Sequence, residues 1–128
     1  MATEMILYTP HSNIAEIKGL FPDILFEKDK IYGAYTSISE SGDAVKCLIE
    51  INGRFCEIKN IKTDLKDKLL TEGLMRASLN YAGNRGAYIA KCKDENISDV
   101  LILLGFSKSG DFYEGDIPTL LQGSCCKH

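Results

Sequence analysis

The sequence offers little to several common function classes. No run of apolar residues approaches the roughly 20 needed to cross a bilayer as a helix. The opening stretch "MATEMILYTPHS" has neither the basic start nor the long apolar core of a secretory signal, so a cytoplasmic location is expected. Basic residues are outnumbered, 15 Lys and Arg against 18 Asp and Glu, giving a net charge of −3 and a pI near 5.4. That balance argues against a broad nucleic-acid surface. No C-x-x-C pair occurs, and the two histidines, His11 and His128, stand at opposite ends. A zinc site therefore has no usual framework, and no metal is expected. Internal repeats and low-complexity segments are also missing.

What remains is an ordinary composition, 45% hydrophobic and 26% charged over 128 residues. That length suits one domain with a real core. We assign residues 1–123 to that domain and 124–128 to a C-terminal tail. Of the five cysteines, Cys47, Cys56 and Cys92 lie in apolar runs and read as reduced core residues. Cys125 and Cys126, in "GSCCKH", read as part of a flexible tail. The alternative there is a soft-metal or thiol role beside Lys127 and His128.

Periodicity gives the order of elements. "EMILYT" (4–9) reads as a short strand and "NIAEIKGLF" (13–21) as a short helix capped by Ser12 or Asn13. "KIYGAYTSI" (30–38), "AVKCLIEI" (44–51) and "RFCEIKNIK" (54–62) form a three-stranded meander, with Asn52-Gly53 as a hairpin signal. From about 64 to 85, apolar or small residues at 65, 69, 70, 73, 74, 77 and 81 mark one buried face of a long helix ending at Gly86. "AYIAKC" (87–92) is a strand that this crossover places parallel to strand 54–62. "NISDVLILLG" (96–105) is a further helix with Gly105 as its stop. "FSKSGDFYEG" (106–115) is a last hairpin around Ser109-Gly110, and "IPTLL" a helical turn. The fold expected is α/β or α+β: a mixed, mostly antiparallel sheet flanked by helices, with one β-α-β crossover.

Certain residues in this order carry a resemblance. "CEIKNIKT" (56–63) is similar to the central strand of the GNAT superfamily of N-acetyltransferases. "GLMRASLNYAGNRG" (73–86) resembles its long helix, and "VLILLGF" (100–106) its closing helix and Gly-Phe. The resemblance spans about residues 30–110, with a shortened N-terminal part. It implies a GNAT-like sheet and acetyl-CoA as co-substrate. Pantetheine would lie along backbone groups of Ile61, Lys62 and Thr63. Diphosphate would lie at the start of the long helix, where unpaired N–H groups and the helix dipole attract anions. The residues implied there are Lys66, Lys68, Leu69, Leu70 and Thr71. The family's loop glycines are replaced: Lys66 stands at the Gln/Arg position, Leu69 at the first glycine and Thr71 at the last. Asp64 or Asp67, as an N-cap, would compete for the same amides. Asp94 and Leu101 occupy the places of the family's Asn and its proton-donating Tyr.

The resemblance thus implies an acyl-CoA-dependent N-acyltransferase acting by direct attack of a small amine on the thioester. Glu57 is the candidate general base. Tyr113, with Tyr88 behind it, is the candidate proton donor to the thiolate. The bland readings are an ion-paired surface glutamate for Glu57 and packing tyrosines for the other two. Arg85 and Lys91 read as solvated. A homodimer is compatible with the family. The competing expectation is a GNAT-shaped binding or interaction module that has lost CoA affinity.

Overall fold

The structure is a computed structural model that describes residues 7–122. Among the described residues seven strands and four helices follow one another along the chain. They are β1 (Thr9–His11), α1 (Ile14–Leu20), β2 (Ile31–Ile38), β3 (Ala44–Asn52), β4 (Phe55–Lys62), α2 (Lys68–Asn84), β5 (Ile89–Cys92), α3 (Ser98–Leu104), β6 (Ser107–Ser109), β7 (Phe112–Asp116) and α4 (Ile117–Gln122). A 3-10 turn, Glu95–Ile97, leads into α3. One sheet holds all seven strands in the order β1-β2-β3-β4-β5-β7-β6. Every neighbouring pair is antiparallel except β4 and β5, the two ends of the crossover through α2. The chain is therefore mixed α+β with a mostly antiparallel sheet.

Alternation along the strands makes two faces. Cys47, Ile49 and Ile51 of β3, Cys56 and Ile58 of β4, and Ala90 and Cys92 of β5 point to one. There they pack with Leu74, Leu79 and Leu101 in the larger core. Tyr32, Ala34 and Leu48 point to the other face, under Ile17 and Phe21 of the α1 region. Asn13 caps α1, accepting the N–H groups of Ala15 and Glu16. Over β4, β5 and β7 the second face has no helical cover among the described residues, and Phe55 is 52% exposed.

Several sequence expectations shift. Residues 7 and 8 precede β1, and the rest of the expected strand at 4–6 lies outside the described residues. Asn52 pairs with Phe55, so the hairpin turn is Gly53-Arg54, with Gly53 at φ +62°. Only its first central residue takes positive φ, as a type II′ turn requires. The long helix starts at Lys68 rather than 64. Its buried face runs through Leu70, Thr71, Leu74, Met75, Ser78, Leu79, Tyr81 and Ala82. Leu65 and Leu69 are exposed at 56% and 69%. Two polar residues hide the true register, because both satisfy themselves locally: Ser78 donates to Leu74 O and Thr71 to Asp67 O. Gly105, at φ +115°, ends α3 as a left-handed cap, with Phe106 N–H on Leu101 O. Among the described residues no helix is long and apolar enough to cross a membrane. The Cys125-Cys126 tail lies outside them.

Candidate functional site

β4 outlasts its parallel neighbour. Pairing with β5 runs from Phe55↔Ile89 to Ile58↔Cys92 and stops, while β4 continues to Lys62. Over residues 60–62 its strand partners are on β3 alone: Asn60↔Leu48, Ile61↔Cys47 and Lys62↔Lys46. The register slips at the same level. Ile58 faces Ile49 and Asn60 faces Leu48, which leaves Lys59 as the extra residue of a bulge. A bulge bends its strand and breaks the ladder locally. Residues 59–62 thus present a backbone edge on the β5 side, and the two strands form an open seam.

The start of α2 is tied to the end of this edge. Thr63 Oγ1 and Thr71 Oγ1 lie 2.8 Å apart. Between them the chain makes a compact turn: Asp64 accepts the Lys66 N–H through its side chain (3.0 Å) and the Asp67 N–H through its carbonyl (2.9 Å). Asp67 is the N-cap. Its carboxylate accepts the Leu70 N–H at 3.0 Å, and its carbonyl the Thr71 N–H at 3.1 Å. Leu70 and Thr71 are buried, so neither their amides nor their side chains face an incoming anion. The N–H groups of Lys68 and Leu69 have no acceptor among the described residues. Lys66 is exposed, whereas Lys68 reaches across to Asp99 of α3 at 2.8 Å. That hydrogen-bonded ammonium holds the Asp99 carboxyl below its ordinary range.

Glu57 and Tyr113, the two candidates for proton transfer, are on opposite faces of the sheet. Glu57 pairs across the strands with Glu50 and Lys91, and Lys91 with Glu114, all on the open face. Its nearest cation is Lys59 Nζ at 3.8 Å. Tyr113 pairs with Cys92 and belongs to the larger core, 5% exposed. It borders an open groove of about 570 Å³ along Ser98, Asp99, Ile102 and Leu103. Its hydroxyl donates to Glu95 Oε1 at 3.0 Å, and Lys108 lies over its ring and bonds the same carboxylate. Tyr88 is 42% exposed beneath the Arg54 guanidinium. The two cations read as solvated rest on aromatic rings. Arg85 stands 3.6 Å from the Tyr81 centroid, and Lys91 sits between Phe55 (5.6 Å) and Phe112 (5.0 Å).

The sequence reading missed Glu50. It is only 6% exposed in the middle of β3. Tyr32 donates to it at 2.7 Å and Lys30 lies at 3.6 Å. The Tyr32 oxygen also accepts the Glu27 N–H at 3.0 Å, and burial pushes the Tyr32 hydroxyl pKa up. The available signal was a charged residue inside the otherwise apolar run "CLIEI". Directly opposed carboxylates repel, so Glu50 and Glu57 are held side by side at a cost that Tyr32, Lys30 and Lys59 offset. Among the described residues no three His, Cys, Asp or Glu side chains converge as a metal site. No model of a known protein family matches this chain, and a search of curated proteins finds no match either.

Proposed function

We propose that this protein is an acyl-CoA-dependent N-acyltransferase of the GNAT type, transferring an acetyl group to a small amine. The observation that carries the reading is the seam: a bulged β4 running past the end of β5, with the first turn of α2 fastened to its tip. An extended pantetheine arm fits such an edge because it can hydrogen-bond to backbone as an added strand would. The free amides of Lys68 and Leu69, with the Lys66 ammonium, are the groups left for the diphosphate. In this scheme Glu57 takes a proton from the acceptor ammonium. The freed amine nitrogen attacks the thioester carbonyl, the carbon–sulfur bond breaks, the nitrogen releases its surplus proton to solvent as the amide forms, and a solvent proton neutralises the thiolate. Tyr113 is not assigned that proton, because its hydroxyl is committed to Glu95.

A second reading has its own observation. Asp67 fills the position where a phosphate would sit and brings negative charge to it, and Lys68 is engaged by Asp99. These contacts favour a GNAT-shaped binding module without CoA affinity.

One titration separates the two. Acetyl-CoA or CoA at 100 times its dissociation constant stabilises a one-site binder by about 2.7 kcal/mol. A thermal shift with either ligand supports the acyltransferase. Absence of any shift at millimolar CoA, confirmed by calorimetry, sinks it and leaves the binding module.

A further inference from the structure

We propose that the pocket at the outer edge of β2 binds a small organic anion with an aromatic or alkyl body. The pocket encloses about 430 Å³, within the size range of small-ligand sites. It lies away from the 59–62 edge of the seam, because β3 separates β2 from β4 and the pocket is at the start of β2, level with the first residues of β4, where Glu50 faces Glu57. Along that edge β1 covers only residues 34–36, so residues 31–33 have a strand partner on β3 alone.

Its walls are built rather than incidental. Buried Glu50 holds Tyr32 and Lys30 from beneath. Tyr32 in turn holds the Glu27 amide, and Phe26 packs edge-on against the Tyr32 ring, 4.8 Å between centroids. Phe26 and Tyr32 supply apolar surface on one side of the open β2 edge, and Tyr81 borders the pocket from the other face of the sheet. The charge lining the pocket is lopsided. Lys30 is engaged by Glu27 at 3.2 Å and by Glu50. Lys18 and Lys28 line the same pocket with no acidic partner among the described residues. Three lysines face two carboxylates, Glu27 and the buried Glu50, and because both carboxylates engage Lys30, the Lys18 and Lys28 ammonium groups stay unpaired beside the aromatic rings. That combination selects a carboxylate or phosphate carried on an apolar body. A cation would meet the two uncompensated ammonium groups.

The test is a titration of the whole chain with benzoate, phenyl phosphate, inorganic phosphate and benzylamine, followed on backbone amide resonances. Benzoate or phenyl phosphate should move the amides of Lys28, Ile31 and Gly33, and the tighter of the two identifies the head group. Benzylamine should not move them. The double variant Lys18→Gln, Lys28→Gln changes two exposed side chains and should weaken binding roughly tenfold. The proposal is overturned by any of four results: no response to either aromatic anion at millimolar concentration, equal response to benzylamine, shifts centred on Lys66 and Leu69 instead, or an unchanged dissociation constant in the double variant. Inorganic phosphate binding as tightly as phenyl phosphate would overturn the role given to the aromatic rings.

Discussion

Asp67 Oδ1 accepts the N–H of Leu70 at 3.0 Å, which converts the first turn of α2 from an open anion cradle into a capped helix end. Two amides of that turn stay free, and a carboxylate stands beside them. Asparagine caps about as well as aspartate but carries no charge. Asp67→Asn should therefore leave stability within about 0.5 kcal/mol of the parent and, under the acyltransferase proposal, tighten CoA binding. Asp67→Ala should cost about 1 kcal/mol, lowering Tm by about 3–5 °C in a domain of this size. Calorimetric titration of the Asn variant is decisive: CoA affinity no better than that of the parent would show that the diphosphate does not approach this turn.

Gly33 tests the packing of β2 against α2. A Cβ there would stand 2.3 Å from Cε1 of Tyr81. That ring has little room to move, held edge-on by Tyr35 (6.1 Å) and covered by Arg85. Gly33→Ala should destabilise by about 1–3 kcal/mol, the usual range for overpacking. Adding Tyr81→Leu should recover part of that loss, so the two changes will be non-additive in urea denaturation. Strict additivity would mean that the clash is relieved elsewhere.

The three core thiols make a prediction about alkaline pH. Burial pushes Cys47 up to about 12 and Cys92 to about 11, and raises Cys56 as well. At pH 8 fewer than about one in a thousand of these groups is ionised in the native state, so alkylation should spare them until the chain unfolds. The folded state then holds more protons than the unfolded one above pH 9. Stability should be level below about pH 8 and fall through the range 9 to 11, by up to about 1.4 kcal/mol per pH unit for each thiol. Urea midpoints at pH 8, 9 and 10 measure the slope. A flat series would contradict it.

How far the sequence carried the fold depends on whether a local pattern determined each element. Alternation in "AVKCLIEI" and "RFCEIKNIK" and the glycine after Asn52 sufficed for the meander, because strand period and turn chemistry are local properties. The parallel partnership of β4 and β5 followed from the intervening helix. The register of α2 did not follow, because Thr71 and Ser78 are buried while bonded to their own helix, and Leu65 and Leu69 are exposed. Apolar spacing cannot report either case. The early end of β4–β5 pairing was not legible, since a bulge at Lys59 leaves no mark in composition. The network around Glu50 joins residues 27, 30, 32 and 50 through tertiary contacts, which no spacing rule connects.

The Tyr113–Glu95 bond supplies the last prediction. Glu95 lies in the 3-10 turn after β5, and its carboxyl is held below the ordinary range first by Lys108 and second by the Tyr113 hydroxyl. Lys108→Ala should therefore raise the Glu95 pKa more than Tyr113→Phe does, by NMR titration of the side-chain carboxyl. The depressed value stabilises the fold above the ordinary glutamate pKa, and that contribution fades as pH falls through the folded-state value. Losing the hydroxyl should cost about 0.5–1.5 kcal/mol, the net worth of one hydrogen bond. Because the ring is buried and its hydroxyl already engaged, Tyr113→Phe should, under the acyltransferase proposal, leave kcat unchanged. A large fall in kcat, with the fold intact by circular dichroism, would instead return Tyr113 to the role of proton donor and require the Glu95 bond to break during turnover.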